Sequence, residues 1–372
     1  MRSILVLRTA ALGDFILSLP AFSELRKHFP GFNIVLLTTS TTQKDHRDRV
    51  SRYAEGSVSF PWVDLAVPHL IDEYLSIGDI FSITNFIRIR QKLRRLKCSY
   101  GIIMIEPCAP WPGRLKKLLF LKLILGNVPV IGWKGRGSIG SNREQLLTKG
   151  LLRHHVHGPL QFLTELKPRR EYSDKEILFD IRIPQNTIEA AEKWLEKSGI
   201  EKKRIVVVAP GSLLPHKRWP EALYIELIDR ILASFSDVFI VIVGTPSDAE
   251  VGDRIAANAP DRILNMAGKS DIPMSAALMK RSDLVVGNDG GAVHLADAVG
   301  AKVVSVMNGI EYPGSVEPWR NQHRAVRRHV SCAPCYSFYF CPLGTNQCVN
   351  SIPVSEVFLK VCEALQESRL EQ

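Results

Sequence analysis

Apolar residues return along the chain in two rhythms. Short apolar runs at 4–7, 33–38, 205–209, 238–243, 284–286 and 302–307 have the length of strands buried on both faces. Between them, apolar positions recur every three or four residues, and this period predicts helices. They cover 15–29, 221–235, a stretch ending near 258, 273–280, 292–299 and 354–365. Strand and helix in alternation predict an α/β fold in which parallel strands form a doubly wound sheet with helices on both faces. Polar, proline-bearing sequence at 167–184 interrupts the pattern, after which it restarts. The 372 residues exceed what one core usually holds. Two similar halves facing one cleft are expected, 1–180 and 181–350, with a terminal helix in 351–372.

The densest chemistry lies at 284–300, LVVGNDGGAVHLADAVG. A strand end, a glycine turn and a helix start follow one another there. Gly287, Gly290 and Gly291 can take turn dihedrals closed to other residues, and they let a phosphate approach the backbone. The helix start turns free N–H groups and a partial positive charge toward any ligand beyond the strand. His294, in the first helical turn, could reach the same anion, and Asp289 could accept hydrogen bonds from sugar hydroxyls. The plainer alternative makes Asp289 a helix cap and His294 an ordinary histidine.

After the strand at 205–209, the loop PGSLLPHKRWP offers Ser212, His216, Lys217 and Arg218 as hydroxyl and cationic contacts to a diphosphate, unless they are solvated loop residues. There is no Walker A motif, and no D-x-D pair of the kind that holds a divalent ion on a nucleotide diphosphate. Charge on a leaving diphosphate would fall to Lys217, Arg218, His294 and the helix start at Gly290 and Gly291. In the first half, a turn at Leu12, Gly13 and Asp14 puts Asp14 at the carboxyl end of the first strand, where such sheets hold ligands. Asp14 is the acid placed to take a proton, and it could also cap the following helix.

A formal net charge of +10 favours anionic partners. Nucleic acid is not among those expected, because no binding module or basic-aromatic stacking platform is present. Arg88, Arg90, Lys92, Arg94, Arg95 and Lys97 crowd one helical stretch, and Lys116, Lys117 and Lys122 alternate with Leu and Phe in another. Such helices either present a solvated basic face or rest on an anionic membrane. No apolar segment is long enough to span a bilayer, and the run at 4–7 is too short for a signal peptide, so a cytoplasmic protein with peripheral membrane contact is expected. The G-x-G-x-x-G match at 135–140 has Gln161 where a dinucleotide site would place an acid, so a basic loop is expected there.

Seven cysteines suggest a reducing compartment. Cys332, Cys335, Cys341 and Cys348, spaced C-x2-C-x5-C-x6-C, could close a tetrahedral shell around zinc or hold iron. Free thiols and a Cys332–Cys335 redox pair are the alternatives.

Taken in order, ILVLRTAALGD with LSLPA, APGS with KRWP, and VVGNDGGAVHLADAVG resemble the signature blocks of the ADP-heptose:lipopolysaccharide heptosyltransferases, glycosyltransferase family nine. The resemblance implies a GT-B fold of two Rossmann-like domains, with the C-terminal helix returning to the first. It implies inverting, metal-independent transfer of heptose from ADP-heptose to the lipopolysaccharide inner core, with no cofactor required. Asp14 matches the family's general base, Lys217 its phosphate-binding lysine, and Asp289, Gly291 and His294 its sugar- and diphosphate-binding D-[ST]-G-x-x-H. Gly290 replaces the usual hydroxyl residue and Val293 a common methionine, while Met307, Asn308, Gly309 and Ile310 stand where an F-G-P-T-like turn is usual. A nucleotide-sugar epimerase or hydrolase on the same fold, or a non-catalytic nucleotide-binding protein, are the competing readings.

Overall fold

The computed structural model describes residues 2–8, 10–38, 61–76, 83–94, 96–104, 111–134, 154–166 and 172–370. The 135–140 glycine segment, Arg95 and part of the 167–184 stretch lie outside the described residues. The chain divides into two compact units, Met1–Arg182 and Ile183–Gln372.

In the first unit β1 (Ser3–Leu7), β2 (Asn33–Thr38), β3 (Glu73–Ser76), β4 (Cys98–Ile103) and β5 (Val130–Ile131) form a sheet of order β3-β2-β1-β4-β5. All of its pairings are parallel. Central β1 is buried at every position, as a strand covered by helices on both faces must be. The single helix expected over 15–29 is two, α1 (Leu12–Ile16) and α2 (Leu19–His28). Pro20 causes the break: it has no N–H for the carbonyl of Ile16 and fits only in the first turn of a new helix. Helices α3 (Ile83–Arg94) and α4 (Trp111–Leu125) flank β4.

The second unit opens with α5 (Gln185–Lys197). Its sheet contains β6 (Arg204–Ala209), β7 (Val238–Ile242), β8 (Ile263–Asn265), β9 (Leu284–Asn288), β10 (Val303–Met307) and β11 (Ala325–Arg327). They are ordered β11-β10-β9-β6-β7-β8 and all pairs are parallel. The winding runs outward from β6 on one side and from β9 on the other. The adjacent carboxyl ends of β6 and β9 therefore mark the switch point, where doubly wound sheets open a crevice for ligands.

Connecting helices α6 (Glu221–Ser234), α7 (Ala249–Ala256), α8 (Ile272–Arg281) and α9 (Gly291–Ala298) cover this sheet. The last helix, α10 (Val354–Leu370), buries Val357, Val361, Ala364 and Leu365 in one core with Leu227, Ile231, Val304 and Val306. Each valine, leucine or isoleucine among them contributes about 1.5–3 kcal/mol of burial. The buried stripe of this helix packs on the second unit's own sheet. No helix among the described residues is long and apolar enough to cross a membrane.

Candidate active site

Three neighbouring strands deliver the site. β6 runs into the 210–220 loop, β9 ends at Asn288, and β10 ends at Met307, so residues far apart in sequence share the carboxyl edge of the sheet. Asn288 fastens this edge. Its buried Oδ1 accepts from the Trp219 backbone N–H at 2.9 Å and from the Tyr224 hydroxyl at 3.0 Å, while Nδ2 donates to the Pro210 carbonyl at 2.6 Å. Trp219, itself buried, packs edge-on against Tyr224 and donates from Nε1 to the Ile352 carbonyl at 3.1 Å. Both ends of the loop are thereby pinned, and Lys217 projects from its middle. Sequence reasoning passed over Asn288; a polar residue closing an apolar strand was the available signal.

Asp289 lies at the centre. Its side chain is 4% exposed and its Oδ2 accepts from Lys217 Nζ at 2.9 Å and from Asn308 Nδ2 at 2.5 Å. Burial alone would push the carboxyl pKa up. The Lys217 charge and hydrogen bond, then His294 and the Asn308 amide, outweigh that and hold it below its ordinary value, so the group is a carboxylate. Asn308 also accepts from the Ile310 N–H at 2.9 Å through Oδ1. Its carbonyl accepts from Arg327, which pairs with the buried Glu317 at 2.7 Å. Asn308, noticed in sequence only as a departure, is thus a ligand of the central carboxylate.

The glycine turn works through space and not through dihedral freedom. Gly290, expected to need a special conformation, is extended at φ 174° and ψ −175°, and a Cβ there would make ordinary van der Waals contact with Ser212 Oγ at 3.7 Å and the Asn288 carbonyl oxygen at 3.8 Å. A hydroxyl residue would fit. Gly287 is more tightly held, since a Cβ would come within 3.0 Å of Val293 Cγ1 and 3.1 Å of the Ala209 carbonyl oxygen. Gly290 is the N-cap of α9 with no side-chain cap, so Asp289 is not a helix cap. The first N–H groups of α9 therefore open onto the edge that holds Asp289, with buried His294 in the first turn.

Arg218 does not join the cluster. It donates from Nε to the Ser212 carbonyl at 2.9 Å and lies 3.7 Å from Asp248, bracing the loop. Ser212 Oγ reaches the Asp289 carbonyl only at 3.5 Å. In the first unit, exposed Asp14 sits in the first turn of α1, whose N-cap is Ala11, so Asp14 is not a cap either. Behind it, the Asp14 carbonyl accepts from Arg8 Nη2 at 3.1 Å and Ser18 Oγ at 2.7 Å, and Arg8 Nε donates to Ser18 Oγ at 2.8 Å. Buried Arg8 clamps the turn that presents the carboxylate.

Cys332, Cys335, Cys341 and Cys348 are free, with Cys332 exposed. Burial raises the Cys348 thiol, with further increments from the other three sulfurs. At Cys341 burial also pushes up, but four backbone N–H groups at 343–346 prevail and hold the thiol below its ordinary value. Among the described residues no group of three or more His, Cys, Asp or Glu is arranged to hold a metal ion. What the segment does is grip the turn after Asn308: the Cys335 N–H donates to the Gly309 carbonyl at 3.1 Å and the Tyr336 N–H to the Ile310 carbonyl at 2.9 Å.

Two Rossmann-wound units in one chain are the architecture of the GT-B glycosyltransferases. The sequence matches the profile of glycosyltransferase family 9 (heptosyltransferase) over residues 112–339, and the chain belongs to that family. A relative, the lipooligosaccharide heptosyltransferase 2 of Haemophilus influenzae, is 22% identical over 318 residues, 82% of each chain. Among solved structures, E. coli ADP-heptose LPS heptosyltransferase II superposes with a TM-score of 0.66 at 17% identity, covering 99% of this chain and 100% of that one. A family 9 glycosyltransferase from Veillonella parvula DSM 2008 gives a TM-score of 0.70 at 18% identity over 98% of both chains. The protein is accordingly a glycosyltransferase, and the epimerase, hydrolase and non-catalytic readings give way.

Proposed function

We propose that the chain transfers heptose from ADP-heptose to the inner core of lipopolysaccharide or a related glycan, with inversion and without a catalytic metal ion. The observation that supports this most is buried Asp289, held between Lys217 and Asn308 beside the open start of α9. That edge carries the cations and N–H groups a diphosphate needs. In the reaction, the acceptor hydroxyl oxygen bonds to the anomeric carbon from the face opposite the leaving group. The bond from that carbon to the β-phosphate oxygen breaks, and its electron pair leaves on ADP. Asp14 takes the hydroxyl proton. Lys217, His294 and the α9 N–H groups stabilise the departing diphosphate. Asp289 orients Lys217 and accepts from donor hydroxyls, while Ser212 and Arg218 shape the loop. The work is assigned to the cytoplasmic side of the membrane, where nucleotide sugars are made available.

The test is to incubate the enzyme with ADP-heptose and heptose-deficient lipopolysaccharide. The expected result is one ADP per heptose transferred, an inverted anomeric configuration by NMR, and a rate indifferent to chelator. ADP release that needs no acceptor, or retention of configuration, overturns the proposal.

A further inference from the structure

Helix α4 buries only one side. Leu121 and Ile124 enter the core of the first unit, with Leu118, Phe120 and Leu125 packed against it. On the other side Trp111, Leu119 and Leu123 are 64%, 54% and 63% exposed. Lys116 and Lys122 are exposed with them; Lys122 Nζ donates to the Val128 carbonyl at 2.9 Å and keeps its charge at the surface. At 3.6 residues per turn these five side chains fall within an arc of about 140°. Single exposed apolar residues are ordinary on a protein surface, but three large ones interleaved with lysines on one helix face are the pattern of a helix lying at a bilayer interface.

Charge narrows the partner. No Asp or Glu occurs between Glu106 and Glu144, while the same stretch carries Arg114, Lys116, Lys117, Lys122 and Lys134. Neighbouring α3 packs against α4 and exposes Ile87 with Arg90 and Lys92. An acidic or neutral protein surface could meet the apolar residues. A sheet of phosphates meets the apolar residues and the lysines together, since lysine stems extend along apolar surface while the ammonium reaches a headgroup. Topology adds a second argument: α4 begins after β4, so Trp111 lies toward the carboxyl edge of the first sheet, the edge to which β1 delivers Asp14.

We propose that this face of α4 docks on an anionic lipid bilayer, with Trp111, Leu119 and Leu123 entering the boundary between headgroups and acyl chains and Lys116 and Lys122 resting on lipid phosphates. Arg90 and Lys92 of α3 extend the contact. The inference goes beyond sugar transfer and stands or falls without it.

The experiment is co-sedimentation of the full chain with phosphatidylcholine vesicles that contain or lack phosphatidylglycerol, across a salt series. Binding should require phosphatidylglycerol and weaken as salt rises, because surface attraction is screened. Replacing Leu119 and Leu123 by Glu should weaken it at least roughly tenfold, and Lys116→Gln with Lys122→Gln by about twenty-five-fold, about fivefold per lysine. Unchanged thermal melts would show that the exposed substitutions leave the fold intact. Equal sedimentation with and without phosphatidylglycerol, or binding that survives L119E/L123E, overturns the proposal. A concentration-dependent dimer that L119E/L123E dissolves, with no vesicle binding, overturns it too and assigns the face to a second copy of the chain.

Discussion

Lys217 and Asp289 are 72 residues apart in the chain, and Lys217 Nζ lies 2.9 Å from Asp289 Oδ2 in the fold. The pair is mostly buried, with side-chain exposures of 17% and 4%. Removing one partner of such a pair leaves an uncompensated charge, which costs about 3–5 kcal/mol in general, and Asn308 cushions part of that here. Lys217→Ala should therefore lower the urea midpoint and also weaken ADP binding by roughly 1.5–3 kcal/mol, the range for a charged hydrogen bond. Calorimetry with ADP measures the second effect. Equal affinity in the variant would move the diphosphate elsewhere.

Asp289 also sets a pH dependence. Its folded pKa lies below the unfolded value of about 3.9. The stability it contributes is therefore fully present above the unfolded value and is lost as pH falls through the folded one. The advantage of the native chain over Asp289→Asn in urea unfolding should be flat above about pH 5 and shrink below about pH 4. An advantage that persists to lower pH, or grows there, would show that the carboxylate is not held as described.

At Asn308 the amide donor is the point at issue. Asn308→Ala should weaken donor binding with little change in overall stability. Asn308→Asp should be worse near neutral pH, where two carboxylates would face one another, and recover as acidification protonates the introduced carboxyl and lets it donate. A pH profile parallel to that of the native enzyme would reduce Asn308 to a filler of space.

Asp14→Asn should fold and bind donor but lose at least about a hundredfold in transfer rate, the lower range for a missing general base. Arg8 and Ser18 hold the Asp14 backbone and not its side chain, so the turn should survive the substitution. Retained turnover would dismiss Asp14 as the base.

The legible parts of this chain were those with local signatures. The 284–300 block showed its strand, turn and helix because apolar run, glycines and helical period are adjacent in sequence. Lys217, Asp289 and His294 were recognisable as chemistry, but their grouping depends on β6 and β9 being neighbours, which only the sheet order decides. Asn288 and the role of Asn308 were missed for the same reason: their partners lie across strands, and an asparagine carries no local mark of what it will bind. Strands β3, β8 and β11 are short edge or near-edge segments whose three or four residues are too few for a period to register. The helix expected at 15–29 broke at Pro20 because the apolar spacing continues smoothly across a residue that cannot donate its hydrogen bond. The valine stripe of α10 was readable because its period is local to one helix.

The central claim is that the switch-point edge around Asp289 serves heptosyl transfer. It is tested most directly by following ADP release and glycoside formation together from ADP-heptose and heptose-deficient lipopolysaccharide, for the native chain and for Lys217→Ala. The account predicts equal amounts of ADP and heptosylated acceptor with the native enzyme, and a steep fall of both at limiting donor in the variant. Full activity in Lys217→Ala, or no heptosylated product from a folded native enzyme, would contradict it.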